Sequence, residues 1–406
     1  MKILMLCTKF SLLESDGWLT NDLAAAFSEQ GHDVTVVCLD WSGESSAQTK
    51  TLYENVFVIN IPVNLNKFEF FPRSVKKLYK WFWASADAIP FVSRKISAQE
   101  VDIFIGFSPA ATTFWLQRYL LKKVRPKFKY MILWDFFPRY HAELGLVPRG
   151  GVYLVAKYIE NTAVNKYDVV GVMSEANVKF LHSEFYFPRG RVEVLPLWGP
   201  AVLADRVDRA AVRAGHNFPE NGILCVFGGQ LIPGRGIELL LNLARSVKDV
   251  LPSVLFVVAG KGPQEPFLRR ELEKDELKNV RYIGQVPRDQ YLQLIAACDI
   301  GLVFNSGTVS VPTFPSKTID YFRAGLPILG AVEEATDFSE ILQYEIGAGY
   351  SSAAKNIEQI RNNLLLMCES EVKRKEMGRQ GQAYFLSRMT ATSTVEKIIA
   401  AAVMTQ

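Results

Sequence analysis

Two loops in the second half of the sequence combine glycines, basic residues and a helix start, a pattern that binds anions. The first loop, residues 228–237, reads GGQLIPGRGI, with paired glycines at a strand end and Arg235 before a helix. Glycines let backbone N–H groups approach an anion, and a helix N-terminus adds partial positive charge. Arg235 would grip a diphosphate through two hydrogen bonds. A tight turn with a solvated arginine explains the same residues equally well.

The second loop covers residues 311–327 and reads VPTFPSKTIDYFRAGLP. We expect Ser316 to cap a helix that begins near Lys317, so that the free N–H groups of Lys317 and Thr318 face an anion. Asp320 lies in the first turn of this helix, where a carboxylate either stabilises the helix dipole or reaches a ligand hydroxyl. The second loop therefore predicts another anion site.

Candidates in the first half of the chain follow two buried strands. Gly17 comes after the first strand, and a glycine there would let a ligand approach closely. Asp135 and His141 follow the strand at 130–133, which would place them at the carboxyl edge of a sheet. Asp135 is either a ligand-facing carboxylate or a turn residue, and His141 is either functional or an ordinary surface histidine.

Parallel sheets would bring these residues together, and the apolar pattern predicts two of them. Val/Ile/Leu-rich strands separated by helices indicate an α/β fold of two Rossmann-like, doubly wound parallel-sheet domains facing a cleft. The predicted strands are 2–6, 34–39, 56–61, 103–107, 130–133 and 169–173, then 223–228, 254–259, 280–283, 300–304 and 327–331. The predicted helices are 20–30, 237–250, 266–274, 288–297 and 318–324, and two more, about 356–385 and 393–405, close the chain.

The rhythm of strands and helices breaks at residues 200–221. This stretch is charged, poor in large apolar residues and closed by a proline, which is typical of a linker. The predicted domains are therefore residues 1–199 and 222–389. We expect the last helix, about 390–406, to pack back onto the first domain.

Composition and charge exclude several classes of protein. Of the 406 residues, 49% are hydrophobic and 22% charged, as in a globular protein, and a net charge of +4 gives no support to nucleic-acid binding. The five cysteines have no metal-ligand spacing, so we expect no metal site and a reducing compartment. Apolar runs are too short for a transmembrane helix or a signal peptide, so we expect a cytoplasmic protein.

The two loops and their spacing, with PSKTIDYFRAGLPIL at 315–329, resemble the retaining GT-B glycosyltransferases of family four, which contains many bacterial polysaccharide enzymes. Residues 257–263 (VVAGKGP) resemble that family's strand-end glycine loop. Residues 282–287 (YIGQVP) resemble its nucleobase-reading segment. The resemblance is specific over about 223–350 and looser in the first half.

The resemblance implies a sugar-nucleotide donor and neither a cofactor nor a metal. Asp320 matches the acidic residue that binds the ribose hydroxyls, whereas the family's first acidic position falls on Pro312. Gln230 stands where the family has a second basic residue, so Lys317 is the candidate for the missing charge. The implied donor-binding residues are Gly17, Gly229, Gln230, Arg235, Gly262, Gln285, Val286, Ser316, Lys317, Thr318 and Asp320, and the implied catalytic residues are Asp135, His141, Arg235 and Lys317.

An enzyme of this family moves a sugar from a UDP- or GDP-linked donor to a saccharide acceptor with retention of configuration. The implied mechanism has no protein nucleophile, because the enzyme positions the donor and stabilises the leaving diphosphate. The first domain would bind an acceptor carried on a lipid diphosphate, and the second the sugar nucleotide. The implied setting is synthesis of bacterial O-antigen, capsule or exopolysaccharide.

Residues 67–83 mix basic and aromatic side chains, and 118–129 form a second basic run. Such segments suit a lipid headgroup interface, so we expect peripheral contact with an anionic membrane, the alternative being a packed helix with a solvated basic face.

Two other functions stay open. One is a non-hydrolysing sugar-nucleotide epimerase, which would need more histidines and acidic groups in the cleft. The other is a non-catalytic sugar-nucleotide-binding scaffold, suggested by the lost acid at Pro312.

Overall fold

The computed structural model of the chain describes residues 1–14, 17–41, 46–65, 68–184, 189–204, 207–274 and 277–405. It divides into an N-terminal unit, Met1–Pro200 with Ala391–Gln406, and a C-terminal unit, Ala201–Thr390. Both units are α/β. None of the helices in the described ranges is long and apolar enough to cross a membrane.

A mostly parallel sheet forms the centre of the N-terminal unit. Its strands within the described residues are β1 (Lys2–Cys7), β2 (Asp33–Asp40), β3 (Gln48–Leu52), β4 (Val56–Pro62), β5 (Ile103–Phe107), β6 (Phe128–Leu133), β7 (Val169–Val172) and β8 (Arg191–Val194). Their order is β3-β4-β2-β1-β5-β6-β7-β8, and β3 pairs with β4 antiparallel while the other pairs are parallel. The strand order reverses at β1, so ligands are expected where β1 and β5 end.

Helices cover the strands of this sheet, as burial of Val/Ile/Leu-rich strands on both faces requires. They are α1 (Leu19–Glu29), α2 (Arg73–Phe82), α3 (Ala84–Asp87), α4 (Ile89–Lys95), α5 (Phe114–Val124), α6 (Arg139–Glu143), α7 (Gly151–Val164) and α8 (Glu175–Glu184), with a 3₁₀ turn at Ala110–Thr113.

The C-terminal unit holds a second, fully parallel sheet. Its strands within the described residues are β9 (Ile223–Gly228), β10 (Val254–Ala259), β11 (Val280–Gly284), β12 (Ile300–Phe304), β13 (Ile328–Val332) and β14 (Gly349–Ala353). Their order is β11-β10-β9-β12-β13-β14, so the order reverses between β9 and β12. Its helices are α9 (Arg209–Gly215), α10 (Ile237–Val247), α11 (Glu265–Glu273), α12 (Arg288–Ala296), α13 (Lys317–Arg323), α14 (Phe338–Glu340), α15 (Ile357–Glu369) and α16 (Glu371–Arg388), with a π-helix at Ile341–Ile346.

The described part of residues 201–221, predicted as a linker, belongs to the C-terminal unit. Asp208 caps helix α9 by accepting a hydrogen bond from the N–H of Ala211. Arg213 on this helix is buried and bonds Asp299 at 2.7 Å, together with several backbone carbonyls. A buried arginine fixes this segment to the sheet, which is why it does not behave as a free linker.

The chain closes with more helices than the sequence predicted. The expected helix at about 356–385 is wrong, because Ser370 is extended at φ −140° and separates α15 from α16. Its hydroxyl accepts the N–H of Lys373 and so caps the second helix. The last helix, α17 (Ala391–Thr405), lies in the N-terminal unit and packs against α1. Val395 and Ile398 of α17 are fully buried.

Candidate active site

Three neighbouring strands of the C-terminal unit end in glycine at the carboxyl edge of the sheet. The N–H of Gly229, after β9, donates to Ala259 at 3.0 Å, and the N–H of Gly260, after β10, donates to Gly284 at 2.7 Å. A Cβ atom at Gly260 would lie 1.8 Å from the carbonyl oxygen of Gly229, and φ there is +146°. The edge is therefore bare backbone, which a ligand can approach closely.

The first predicted loop leads from this edge into α10. Gln230 and Arg235 are exposed, and Gly236 turns the chain at φ +78°. A Cβ atom at Gly236 would lie 2.6 Å from Cβ of Phe304, so the turn packs tightly on β12. Arg235 thus lies where the strand order reverses between β9 and β12, and its guanidinium is accessible to an anion. We call this place the switch point of the sheet.

Lys317, the first residue of α13, also reaches this switch point. Its Nζ lies 3.9 Å from the ring centroid of Phe227, on β9. Burial and then the positive charge of Arg235 lower the pKa of the Lys317 ammonium to about 7. The structure therefore brings two predicted cationic residues together, and an anion placed there would relieve their repulsion.

Tyr321 holds α13 against the centre of the sheet. Its hydroxyl donates to the carbonyl of Val226 at 3.1 Å and accepts the N–H of Gly228 at 3.2 Å. The ring packs where Gly301 of β12 has no side chain, since a Cβ atom there would lie 2.5 Å from it. This buried anchor fixes the helix that carries Lys317.

The start of α13 departs from the prediction in two ways. Ser316 has helical backbone angles and makes no capping hydrogen bond with its side chain, so its predicted role as a cap is wrong. The N–H of Thr318 is not free, because it donates to Pro315 at 3.1 Å. The helix begins with a tight turn, which uses backbone carbonyls in place of a side-chain cap. The Thr318 hydroxyl oxygen is buried, with no hydrogen-bond partner among the described residues.

Asp320, the predicted ribose ligand, forms a two-point ion pair. Its oxygens accept from the guanidinium of Arg288 at 2.5 and 2.6 Å, and Arg323 lies 3.8 Å away. Arg288 begins α12, and the sequence reading missed it. The carboxylate is largely covered by these partners, so a ribose hydroxyl would have to share Asp320 with Arg288.

Three further predicted donor residues lie on neighbouring loops. Gly262 packs against the first loop, where a Cβ atom would lie 2.3 Å from the carbonyl of Leu231. Gln285 is exposed and Val286 is partly exposed directly after β11. The loops after β9, β10 and β11 are thus contiguous along one sheet edge, as a nucleotide site requires.

Asp135 follows β6 at the carboxyl edge of the N-terminal sheet. Ser108, after β5, is buried, and its hydroxyl oxygen accepts the N–H groups of Trp134 and Asp135 at 2.8 and 2.9 Å. This two-donor contact fixes the turn that carries Asp135. The carboxylate is half-buried, as expected for a group that meets a ligand.

Glu160 is a buried carboxylate that the sequence reading missed. Its two oxygens accept the N–H groups of Ala110 and Ala111 at 3.0 and 2.6 Å. Burial raises the pKa of Glu160 to about 8, against the two backbone hydrogen bonds, and the charge of Asp135 raises it further. A signal was present, because Glu160 lies between the buried Ala156 and Ala163 on the core-facing side of α7.

His141, on α6, shares this neighbourhood. Burial lowers the pKa of the imidazole, and the charge of Asp135 opposes that shift. Nδ1 is buried, with no hydrogen-bond partner among the described residues, and the ring packs 5.3 Å from that of Phe137. The structure therefore groups Asp135, His141 and Glu160 in the N-terminal unit, and Arg235 with Lys317 in the C-terminal unit.

Gly17 carries less of the predicted geometry. It is exposed after β1, its backbone is not left-handed, and an added Cβ atom would come no closer than 3.5 Å to another atom. The loop conformation therefore does not require a glycine at this position. Beside it, Lys9 Nζ lies 3.4 Å from the ring centroid of Trp18.

Aromatic side chains are exposed at both ends of α2, in the N-terminal unit. We call this group the aromatic face: Phe70, Phe71, Trp83 and Trp115. The indole N–H of Trp115 donates to the carbonyl of Phe82 at 2.8 Å, so the residues around α2 and α5 adjoin. Lys67, the start of the predicted membrane segment, lies outside the described residues.

The predicted second basic run, 118–129, is not a single surface. At the end of the run that leads into β6, Lys127 forms an ion pair with Asp102 at 2.9 Å. Lys129 forms one with Asp168 at 2.8 Å. The exposed cations beside the aromatic face are instead Lys77, Arg118 and Lys122.

Two family models match the chain, one over each unit. The model for glycosyltransferase family 4 matches residues 17–198, and the model for glycosyl transferases group 1 matches residues 208–384. Together the two matches cover most of both units.

Similar proteins of known name include WbjE of Pseudomonas aeruginosa, described as a probable glycosyltransferase. It is 25% identical over 327 residues, which are 74% of this chain and 76% of WbjE. A GDP-mannose-dependent phosphatidylinositol monomannoside mannosyltransferase of Corynebacterium glutamicum is 22% identical over 44% of this chain and 46% of its own length.

Solved structures share the fold over the full chain. Sucrose-phosphate synthase from Thermosynechococcus elongatus superposes with a TM-score of 0.74 at 14% identity, covering 100% of both chains. HepE of Anabaena, in complex with UDP-glucose, gives 0.70 at 16% identity, again over 100% of both. WaaG, a glycosyltransferase involved in lipopolysaccharide biosynthesis, gives 0.65 at 15% identity over 99% of both. With a family 4 unit followed by a group 1 unit, this chain is a glycosyltransferase of the GT-B fold.

Proposed function

We propose that this glycosyltransferase transfers a sugar, with retention of configuration, from a UDP- or GDP-linked donor to a saccharide acceptor of a bacterial surface polysaccharide. The observation that carries the proposal is the pair of cations at the switch point of the C-terminal sheet. Burial, together with the positive charge of Arg235, lowers the pKa of Lys317 there to about 7. A diphosphate would compensate both charges where the glycine edge admits it.

The names of similar proteins support the choice of donor and setting. HepE was solved with UDP-glucose, and the Corynebacterium relative is named as GDP-mannose-dependent. WaaG acts in lipopolysaccharide biosynthesis. In our proposal, Lys317 and Arg235 stabilise the charge that develops on the leaving diphosphate, and Asp320, shared with Arg288, holds the ribose. We propose no metal, because these cations carry the charge.

The donor is tested by screening thermal shift and nucleotide release with UDP- and GDP-linked sugars. We expect one base to stabilise the protein selectively and its sugar to be transferred to a saccharide acceptor. Lys317→Met should raise the KM for the donor about tenfold or more, since a charge-assisted hydrogen bond is lost. Lys248→Met, at an exposed lysine, is the matched control.

Three outcomes would contradict the proposal. Binding without any turnover would indicate a scaffold, and conversion of the sugar without an acceptor would indicate an epimerase. A donor KM unchanged in Lys317→Met would remove this residue from the site. The anomeric configuration of the product, read by NMR, tests retention separately, and EDTA should leave the rate unchanged.

We also propose that the acceptor is lipid-linked and that the aromatic face contacts an anionic bilayer. The supporting observation is an unusual exposure of aromatic side chains, with Phe70 98% exposed, beside the exposed cations Lys77 and Arg118. Aromatic rings next to Lys and Arg match the lipid headgroup region in polarity and charge.

Vesicle flotation tests this contact. The wild type should float with vesicles containing anionic phosphatidylserine at low salt and less with purely zwitterionic ones. Phe70→Ser combined with Trp83→Ser should abolish flotation, whereas Tyr344→Ser, at an exposed aromatic of the C-terminal unit, should not. Wild-type protein that stays with the sediment in both lipids would contradict the proposal.

A further inference from the structure

A second buried carboxylate, Glu333, lies at the carboxyl edge of the C-terminal sheet. It directly follows β13 and is only 2% exposed. Its oxygens accept the side-chain amide of Asn305 at 2.9 Å and the N–H of Thr313 at 3.1 Å, and they also accept the Thr313 hydroxyl. Three hydrogen-bond donors thus converge on one buried carboxylate. Removing the carboxylate would take this acceptor from all three, which costs free energy in a buried place.

These contacts fix the loop that leads into α13. Thr313 is held on its other side as well, since its carbonyl oxygen accepts the Thr336 hydroxyl at 2.7 Å. Phe314, the next residue, packs with its ring 5.3 Å from that of Phe338. The segment that follows β13 therefore holds the loop before Lys317 at three places: the N–H and hydroxyl of Thr313, the carbonyl of Thr313, and the ring of Phe314.

Clamping also sets the hydrogen-bonding character of Thr313. A hydroxyl that donates to a carboxylate has only acceptor capacity left, and the Asn305 amide, at 3.3 Å, takes part of it. What remains is an acceptor for a ligand hydroxyl. Pro312, the neighbouring residue, has no carboxylate of its own, so Glu333 is the acidic group that polarises this loop.

We propose that Glu333 is a positioning residue for the glycosyl group of the donor, acting through Thr313. This inference rests on the proposed function, because it assigns the loop before Lys317 to the sugar while the cation pair holds the diphosphate. Glu333 itself is covered and its oxygens are occupied, so it does not touch the sugar. It orients the hydroxyl of Thr313, whose remaining acceptor capacity meets a sugar hydroxyl.

The test separates sugar recognition from nucleotide recognition. Glu333→Gln keeps the size of the side chain but replaces one acceptor oxygen with a donor amide, which faces Thr313 or Asn305 as a second donor. Affinities are measured for UDP against UDP-glucose and for GDP against GDP-mannose, together with the rate of donor hydrolysis. Glu334→Gln, at the exposed adjacent residue, is the matched control.

We expect Glu333→Gln to lower kcat/KM for the preferred donor about tenfold or more and to leave affinity for its free nucleoside diphosphate within about twofold. Equal weakening of both ligands would overturn the inference, because it would indicate a general structural role. Wild-type values for both would overturn it too. If the wild type bound neither nucleotide nor nucleotide sugar, the proposed function would fail instead, which is a distinct result.

Thr313→Val is a second test of the same inference if Glu333→Gln fails to fold. It removes the hydroxyl but keeps the backbone N–H on Glu333 and a side chain of similar size. The same selective loss for the sugar nucleotide is expected. An unchanged ratio between the two affinities would contradict the assignment of Thr313 to the sugar.

Discussion

Lys317 is the residue in which structure and proposed chemistry are most closely linked. Its ammonium must be positive to hold a diphosphate, yet burial and the charge of Arg235 lower its pKa to about 7, so the neutral amine dominates above that pH. A bound diphosphate would raise the pKa of Lys317 again, because an adjacent negative charge stabilises the ammonium. Donor binding should therefore be coupled to uptake of a proton.

This coupling predicts a pH dependence of binding. Above pH 7, where the terminal phosphate of a nucleoside diphosphate is already ionised, affinity should fall as pH rises to 9, by up to about tenfold per pH unit. Calorimetry in two buffers of different ionisation enthalpy measures the proton taken up. Lys317→Met should remove most of the slope and Lys248→Met should retain it; a flat wild-type profile would contradict the coupling.

Glu160 predicts a second pH effect, on stability. Its pKa is raised to about 8, so between the unfolded value near 4 and pH 8 the folded state holds a proton that the unfolded state has lost. Its contribution to stability is therefore present at low pH and is lost progressively as pH rises from about 4 to the folded pKa of about 8. Glu160→Gln resembles the neutral form and lacks this loss, so it should become more stable relative to the wild type as pH rises.

Thermal unfolding at pH 5, 6.5 and 8 measures this effect. The melting temperature of the wild type minus that of Glu160→Gln should decrease from pH 5 to pH 8. Glu175→Gln, at an exposed glutamate of the same unit, should keep a constant difference. A constant difference for Glu160→Gln would contradict this prediction, because it would show that the carboxylate is already ionised in the folded protein over this pH range.

At the scale of elements, the glycine edge of the C-terminal sheet is the feature with the strictest geometry. Gly260→Ala adds a Cβ atom 1.8 Å from the carbonyl oxygen of Gly229, so one strand end has to move. Gly284→Ala shares the left-handed backbone at φ +76° but meets open space, and should cost only about 1–2 kcal/mol. We expect Gly260→Ala to lose nucleotide binding, measured by calorimetry, while Gly284→Ala binds. Similar binding by both variants would contradict the edge as the nucleotide site.

Sequence patterns were sufficient for the strands that carry the site. Strands at 103–107, 223–228, 254–259 and 300–304 lie where predicted, because buried parallel strands are continuous apolar runs. Strands β3, β8 and β14 were missed, since all three are short edge strands that mix polar with apolar residues: Gln48–Leu52, Arg191–Val194 and Gly349–Ala353. The break at Ser370 was missed, although a serine whose hydroxyl accepts the N–H three residues further on is a local signal of a helix start.

The candidate site could be predicted from sequence, but the side-chain partners of its residues could not. Arg235 and Lys317 could be predicted because the glycines, basic residues and strand ends that identify them lie within short stretches of sequence. The partner of Asp320 is 32 residues away, and Glu160 is 50 residues from Ala110. Such pairs depend on which strands become neighbours in the sheet, and periodicity within one segment carries no information about that.

At the scale of the whole molecule, the last helix contributes to the N-terminal unit. Ile398→Ala removes a fully buried side chain from α17, and should cost about 2–5 kcal/mol in the unfolding free energy of that unit. Hydrogen exchange should then accelerate in peptides from residues 1–200 and stay unchanged in those from 201–390. Val403→Ala, at an exposed position on the same helix, should change neither. Faster exchange confined to 201–390 would contradict this assignment.

The same helix has a consequence for the order of events during protein synthesis. Domains usually fold in the order in which they leave the ribosome. Here the C-terminal unit ends at Thr390, whereas the N-terminal unit needs Ala391–Thr405 to cover α1. A nascent chain that has emerged from the ribosome as far as residue 390 would therefore hold a finished second unit behind an unfinished first one. During that interval the side of α1 that packs against α17 lacks its cover and would be open to a ribosome-associated chaperone.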